Sequence, residues 1–294
     1  VAKKKAKKDG INRRHIEEEY GLSYALFQSA PELKDLLKEA VKNSWTTQRF
    51  QVELRNTDWF KKHSDTWREG TALKFSDPTT YRQKVAEQLM TVQALAGKFG
   101  ARLDGATANR LAERALLLGW SAGDIQNHLA NYVVPQAGGH YGGDLSAIEQ
   151  NLQSTAANNG VRISAGQLKG WMRNIVRGNA STEQYETMVR DIAAKTFSAY
   201  GEQIKAGMDL KDLASPYVQS MSQILELNPG SLDLFDPTIR KALSYRNEKG
   251  ENIPLGISDF ENSLRQDKRW QYTKQAKDAA KGLAASIGQM WGVS

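Results

Sequence analysis

The stretch DPTTYRQKVAEQLMTVQALAGKFGARLD, residues 77–104, decides the fold class. Tyr81, Val85, Leu89, Val92, Leu95 and Phe99 recur at steps of three and four, the spacing that lines up side chains on one face of a helix. Asp77 offers a carboxylate to the free amides of a first turn, and Pro78 suits the first helical position, where no amide partner is needed. The pattern predicts a long amphipathic helix from Asp77-Pro78, closed by Gly100 and followed by a second capped segment.

The same turn returns at an offset of 60 residues: Gly100-Ala-Arg102-Leu103-Asp104 aligns with Gly160-Val-Arg162-Ile163-Ser164. In that offset Ser121, Asp124, Ile125, Leu129 and Tyr132 fall on Ser181, Gln184, Tyr185, Val189 and Ile192. At an offset of 75, Val41, Trp45, Thr46, Phe50 and Leu54 match Leu116, Trp120, Ser121, Ile125 and Leu129, and Gly207-Met208-Asp209 is a fainter echo. Each unit reads as helix, capped loop, helix, turn, helix. Such units bury little alone and more when stacked. In this reading Trp45, Trp120 and Trp171 occupy repeated corners.

Five S-x-x-[DEQ] patterns precede apolar segments, at Ser29/Glu32, Ser121/Asp124, Ser164/Gln167, Ser181/Gln184 and Ser258/Glu261. In a capping box the serine oxygen accepts an orphan amide and the acidic or amide side chain reaches back. No long run alternates with period two. Ser244–Pro254 is the best hairpin candidate, turning at Asn247-Glu-Lys-Gly250. The expected organisation is a basic tail over 1–22, helical units over 23–134, a Gly-rich linker over 135–150, a second helical unit over 151–228, and a segment over 229–294 with a short helix, the hairpin and a final helix. The predicted class is all-α, stacked helix–turn–helix units with a small C-terminal β-hairpin.

The 294 residues carry a net charge of +7. Lys3, Lys4, Lys5, Lys7, Lys8, Arg13 and Arg14 face only Asp9 within the first fourteen residues, so the rest of the chain is nearly neutral. These seven residues are the candidate contacts to an anionic partner, whether DNA, anionic lipid or an acidic protein surface. The absence of cysteine excludes disulfides, thiolate catalysis and cysteine metal sites. No apolar run approaches a membrane span.

Chemistry-bearing patterns are sparse. His140 and Asp144 have an H-x-x-x-D spacing, but a zinc site needs further converging ligands, and His15, His63 and His128 do not supply them at a metal-binding spacing. The Gly-rich stretch 138–143 lacks the strand before it and the Lys-Ser/Thr after it that a phosphate loop uses. Glu17, Glu18 and Glu19 read as a charged helix start, with Glu17 placed to pair with Arg13. Trp59 and Trp67 flank Lys61-Lys62-His63, a mix that suits base stacking, a membrane surface or simple half-burial. Trp270 and Trp291 bracket the final helix as anchors. No catalytic, cofactor-binding or metal-binding residue is assigned.

Two groups of residues carry a family resemblance. One is Asp236-Pro-Thr-Ile-Arg-Lys-Ala-Leu-Ser-Tyr245, Ile257-Ser-Asp-Phe-Glu261, Leu264-Arg-Gln-Asp267, Arg269-Trp-Gln-Tyr-Thr273 and Gly288-x-x-Trp291-Gly292. The other is Leu33–Leu37, Ala40-Val-Lys-Asn-Ser-Trp45, Phe50 and Leu54-Arg-Asn-Thr-Asp-Trp-Phe60. Together they resemble virion structural proteins of tailed bacteriophages that infect actinobacteria. The resemblance implies a non-enzymatic component inside or at the end of the particle: an internal head protein, a tape-measure-like tail protein, or a minor protein near the portal or tail tip. Its implied partners are other virion proteins and further copies of itself, and its implied location is the virion, after synthesis in the host cytoplasm. A tape measure is usually far longer and has apolar stretches, from which this chain departs. The alternative is a nucleic-acid-binding protein acting through the basic tail, and a helical wall-degrading enzyme is a third reading.

Overall fold

The computed structural model describes residues 13–20 and 23–290. It is all-α with one small hairpin near the C-terminus. Its contacts divide the chain into two units that meet at Asp144 and Leu145.

The first unit runs α1 Arg13–Tyr20, α2 Tyr24–Ser29, α3 Pro31–Lys42, α4 Thr47–Asn56, α5 Asp58–Lys62, α6 Asp65–Ser76, α7 Pro78–Lys98, α8 Gly105–Leu118 and α9 Ala122–Leu129. The long helix is α7, and Asp77 accepts from the amides of Thr79 and Thr80 at its start. Its inner face packs along α8 and α9, where Val92, Ala96, Leu111, Ala112, Ala115, Ile125 and Leu129 form one core. A second core joins α1 to α4 through Tyr20, Leu26, Phe27, Leu33, Leu37, Trp45 and Phe50.

The second unit continues with α10 Asp144–Asn158, α11 Ala165–Val176, α12 Thr182–Thr196, α13 Gly201–Lys205, α14 Leu210–Leu213, α15 Ser215–Ile224 and α16 Pro237–Leu243. The hairpin strands β1 Tyr245–Arg246 and β2 Asn252–Ile253 follow, then α17 Ile257–Arg265 and α18 Lys274–Met290. The hairpin pairs Tyr245 with Ile253 and Arg246 with Asn252, and Gly250 supplies the positive φ of its turn (82°). The core of this unit includes Leu152, Met172, Val189, Phe197, Leu210, Met221, Ile239, Leu243, Phe260 and Leu264.

One corner recurs throughout. A helix ends on a residue with positive φ, and the next amide returns to the carbonyl five residues back. The left-handed residues are Ser44, Gly100, Gly119, Gly160, Gly178, Gly207 and Glu226. The matching bonds run from Trp45 to Ala40, Ala101 to Ala96, Trp120 to Ala115, Val161 to Ala156, Asn179 to Asn174, Met208 to Gln203 and Leu227 to Ser222, at 2.8–3.0 Å. The two corners in the 60-residue offset agree closely: φ is 61° at Gly100 and 63° at Gly160, and both return bonds are 2.8 Å. Asp104 then caps Thr107 as Ser164 caps Gln167. The corner at Trp45 likewise repeats the one at Trp120, with Thr46 and Ser121 as the caps.

Three expectations change. The capping boxes form at Ser121, Ser164 and Ser181. At Ser29 and Ser258 the helix starts elsewhere, behind Ala30 and Gly256, so Glu32 and Glu261 reach other elements instead. Trp171 lies within α11, not at a corner, and stacks on Tyr185 with centroids 4.6 Å apart. The stretch expected as a flexible linker is an exposed loop over 135–140 whose end packs back through Tyr141 and Gly142, and α10 already begins at Asp144. Tyr141 is buried, the Gln136 amide bonds the His140 carbonyl, and Gly142 lies against Gly100.

Gly100 and Ser44 test the corner with opposite signs. A Cβ on Gly100 would meet the Gly142 carbonyl at 2.5 Å, so Gly100→Ala is expected to destabilise by about 2 kcal/mol or more. Ser44 already carries a side chain at φ 47°, so Ser44→Gly is expected to be neutral or to stabilise by up to about 1 kcal/mol. Urea unfolding midpoints measure both.

Candidate assembly surface

Lys3, Lys4, Lys5, Lys7 and Lys8 lie outside the described residues, as do the side chains of Arg13 and Arg14, whose backbone opens α1. Trp291 also lies outside them. The other sequence candidates are drawn into packing. His63 stacks on Trp67 at 3.6 Å, Trp59 meets Trp67 edge-on at 5.9 Å, and Lys62 pairs with Asp58 at 2.7 Å. His63 and Trp67 thus each cover one face of the other. His128 stacks on Trp120 at 4.0 Å. Glu17 accepts the Tyr24 amide at 3.0 Å, which links α1 to α2. Among the described residues, no group of three or more His, Cys, Asp or Glu side chains is placed to hold a metal ion, and no helix is long and apolar enough to cross a membrane.

The charged groups that do converge form clamps. Asp209 takes bonds from Asn158 and Asn159 at 3.0 Å and an ion pair from Arg190 at 2.9 Å, which ties α10 and α12 to the Gly207 corner. Arg269 donates to Asp236 at 2.8 Å, to Asp267 at 2.7 Å and to Thr238 at 2.8 Å. The other oxygen of Asp236 caps α16. The Arg269 guanidinium holds the Asp267 carboxyl down at about 2, well below the usual carboxylate range. Glu113 is held low by Lys74 and Tyr81, and burial, with Glu113 beside it, pushes the Tyr81 phenol up. Asp267 and Glu113 are thereby held in their ionised form near neutrality. A cleft of about 430 Å³ is lined by Arg162, Phe235, Arg240 and Thr196. There each guanidinium lies over the Phe235 ring, and the Thr196 hydroxyl donates to the Ile192 carbonyl.

A different feature stands out. The base of α18 is fixed firmly: Glu226 accepts the amides of Lys274 at 2.8 Å and Gln275 at 3.1 Å, while the Thr273 hydroxyl accepts that of Ala276 and donates to the Trp270 carbonyl. Glu226 has φ 52°, so one residue both closes the corner after α15 and caps α18 across 48 positions of sequence. Thr273 and Ala276 are buried. From Lys277 to Met290 every described side chain is exposed. Leu283, Ile287 and Met290 are 64%, 39% and 83% exposed, and they continue a line from Ala276 and Ala280 with steps of four, three, four and three. The spacing is readable in the sequence. That nothing in its own unit covers this face is not.

The Arg269 clamp makes a pH-dependent contribution. Because Asp267 titrates lower in the fold than in the unfolded chain, its stabilisation is complete above about pH 4 and is lost as pH falls towards 2. Asp267→Asn is expected to lose about 1–3 kcal/mol at neutral pH and to show a flatter acid-unfolding profile. Equal acid sensitivity in both proteins would contradict this. Comparison of the chain with protein-family models, with curated proteins and with solved structures returns no match.

Proposed function

We propose that the chain is a non-enzymatic virion structural and assembly protein of a tailed bacteriophage, seated inside or at an end of the particle. The observation that carries this reading is α18: a helix clamped at its base by Glu226 and Thr273, with an exposed apolar line running on through Leu283, Ile287 and Met290. A monomer gains nothing from holding such a face in water, whereas an assembly subunit uses it to dock. The sequence resemblance supports the same reading, and the Asp236, Asp267 and Arg269 that it includes form the clamp near the base of α18.

Mass spectrometry of purified, washed particles of the phage that encodes this chain tests the proposal. The polypeptide is expected in multiple copies per particle, and its absence would overturn the reading. Leu283→Glu is expected to leave the unfolding free energy within about 0.5 kcal/mol of the parent, because the side chain is 64% exposed. The same change is expected to reduce incorporation into particles.

A further inference from the structure

We propose that the cleft at Arg162 and Arg240 binds a phosphate group, either free or carried by a small phosphomonoester. The inference goes beyond the assembly reading and does not depend on it.

The cleft arises from a difference between two similar corners. At the first, the Arg102 amide donates to the Tyr132 carbonyl at 3.1 Å and Ala101 bridges Val133, so the chain leaving α9 closes the corner. At the offset of 60, Arg162 takes the place of Arg102 and Ile192 that of Tyr132. There α12 runs on to Thr196, and the Thr196 hydroxyl donates to the Ile192 carbonyl at 2.9 Å. Among the described residues the Arg162 amide has no acceptor, and the cleft of about 430 Å³ stands where the first corner is closed.

Charge selects what the cleft accepts. The Arg162 guanidinium lies 4.8 Å from the centre of the Phe235 ring and that of Arg240 lies 6.0 Å from it, with Arg240 also 5.0 Å from the centre of the Phe197 ring. A neutral ring holds a guanidinium in place without cancelling its charge. Among the described residues no carboxylate pairs with either arginine, and none lines the cleft. Arg190 and Arg269 of the same unit, by contrast, pair with Asp209 and with Asp236 and Asp267. Two like charges held against one ring raise the local potential, which an anion lowers.

The donors favour phosphate over carboxylate. Nη1 of Arg240 donates to the Gly160 carbonyl at 3.0 Å, which fixes the side chain, while its Nε and Nη2 have no partner among the described residues. Together with the Arg162 fork and amide they outnumber the oxygens of a carboxylate and suit the extra oxygen and nearly doubled charge of a phosphomonoester. Ile192, 39% exposed on the cleft wall, offers an apolar seat to a small organic substituent. The volume is that of a small-molecule site.

Calorimetric titration of the full-length protein at low ionic strength tests the site, with adenosine monophosphate, inorganic phosphate, adenosine and succinate as probes. Adenosine monophosphate is expected to saturate the protein with a Kd of about 1 mM or tighter. Arg162→Gln is expected to weaken binding at least about tenfold, and Arg162→Lys, which keeps the charge but not the fork, by less. Because Arg162 is exposed, the unfolding midpoint without ligand is expected to match the parent. Lys195→Gln removes the same charge from an exposed neighbour that does not line the cleft, and is expected to change affinity less than about twofold. Inorganic phosphate binding as tightly as adenosine monophosphate supports the free ion as ligand, and tighter binding of the nucleotide supports the phosphomonoester. Equal losses from Arg162→Gln and Lys195→Gln would overturn the site. So would adenosine binding as well as its monophosphate, succinate binding as tightly as phosphate, or no saturation with either phosphate probe by about 10 mM.

Discussion

The fold rests on one repeated interaction, the bond from the residue after a left-handed corner to the carbonyl five positions earlier. A helix ends with carbonyls that have no partner in the next turn, and burying them unpaired would cost about 1–3 kcal/mol each. The corner satisfies them within six residues and turns the chain sharply enough for the next helix to pack back. Five of the seven described corners use glycine, which reaches positive φ without Cβ strain. With the corner settled, a Ser, Thr or Asp cap begins the next helix, and the buried residues after it, such as Ile125 and Leu129 or Tyr185 and Val189, fall into a core.

Carboxylates and amides far apart in sequence do the remaining joining. Glu32 accepts the amides of Asp58 and Trp59 at 2.7 Å and caps α5 from α3. Glu226 does the same for α18 from the end of α15. Each is a carboxylate acceptor at the positive end of a helix, where charge and dipole favour one another. The Asp209 and Arg269 clusters extend this, since each brings several elements onto one charged group. Among the described residues, these clusters engage the converging charged groups, and an uncovered apolar line runs along α18.

Legibility followed range. Ser121, Ser164 and Ser181 form capping boxes because both halves of the interaction lie within four residues. At Ser29 and Ser258 the same pattern lies off the helix start, which falls at Ala30 and Gly256. At Ser29, Pro31 moves the helix start to Ala30, and Glu32 finds a stronger use across the fold. The glycines at 138–143 signalled a break, and composition alone could not show that Tyr141 and Gly142 pack back onto the unit. The tryptophans were half legible: Trp45 and Trp120 sit at corners, whereas Trp171 is held mid-helix by a stacking partner fourteen residues away.

The sequence by itself determined the helical class, the corners, the caps and the hairpin, because each depends on dihedral preferences and hydrogen bonds among near neighbours. It also placed apolar residues along α18 at a period of 3.5. Only the tertiary structure decided which apolar faces are covered. The stripe on α7 lies against α8 and α9, while that on α18 leaves its unit after one turn. Periodicity states that a face is apolar. Whether anything covers it depends on which distant segments the whole fold brings to it, here on Glu226 and Thr273 holding the base of α18 while its outer turns remain exposed.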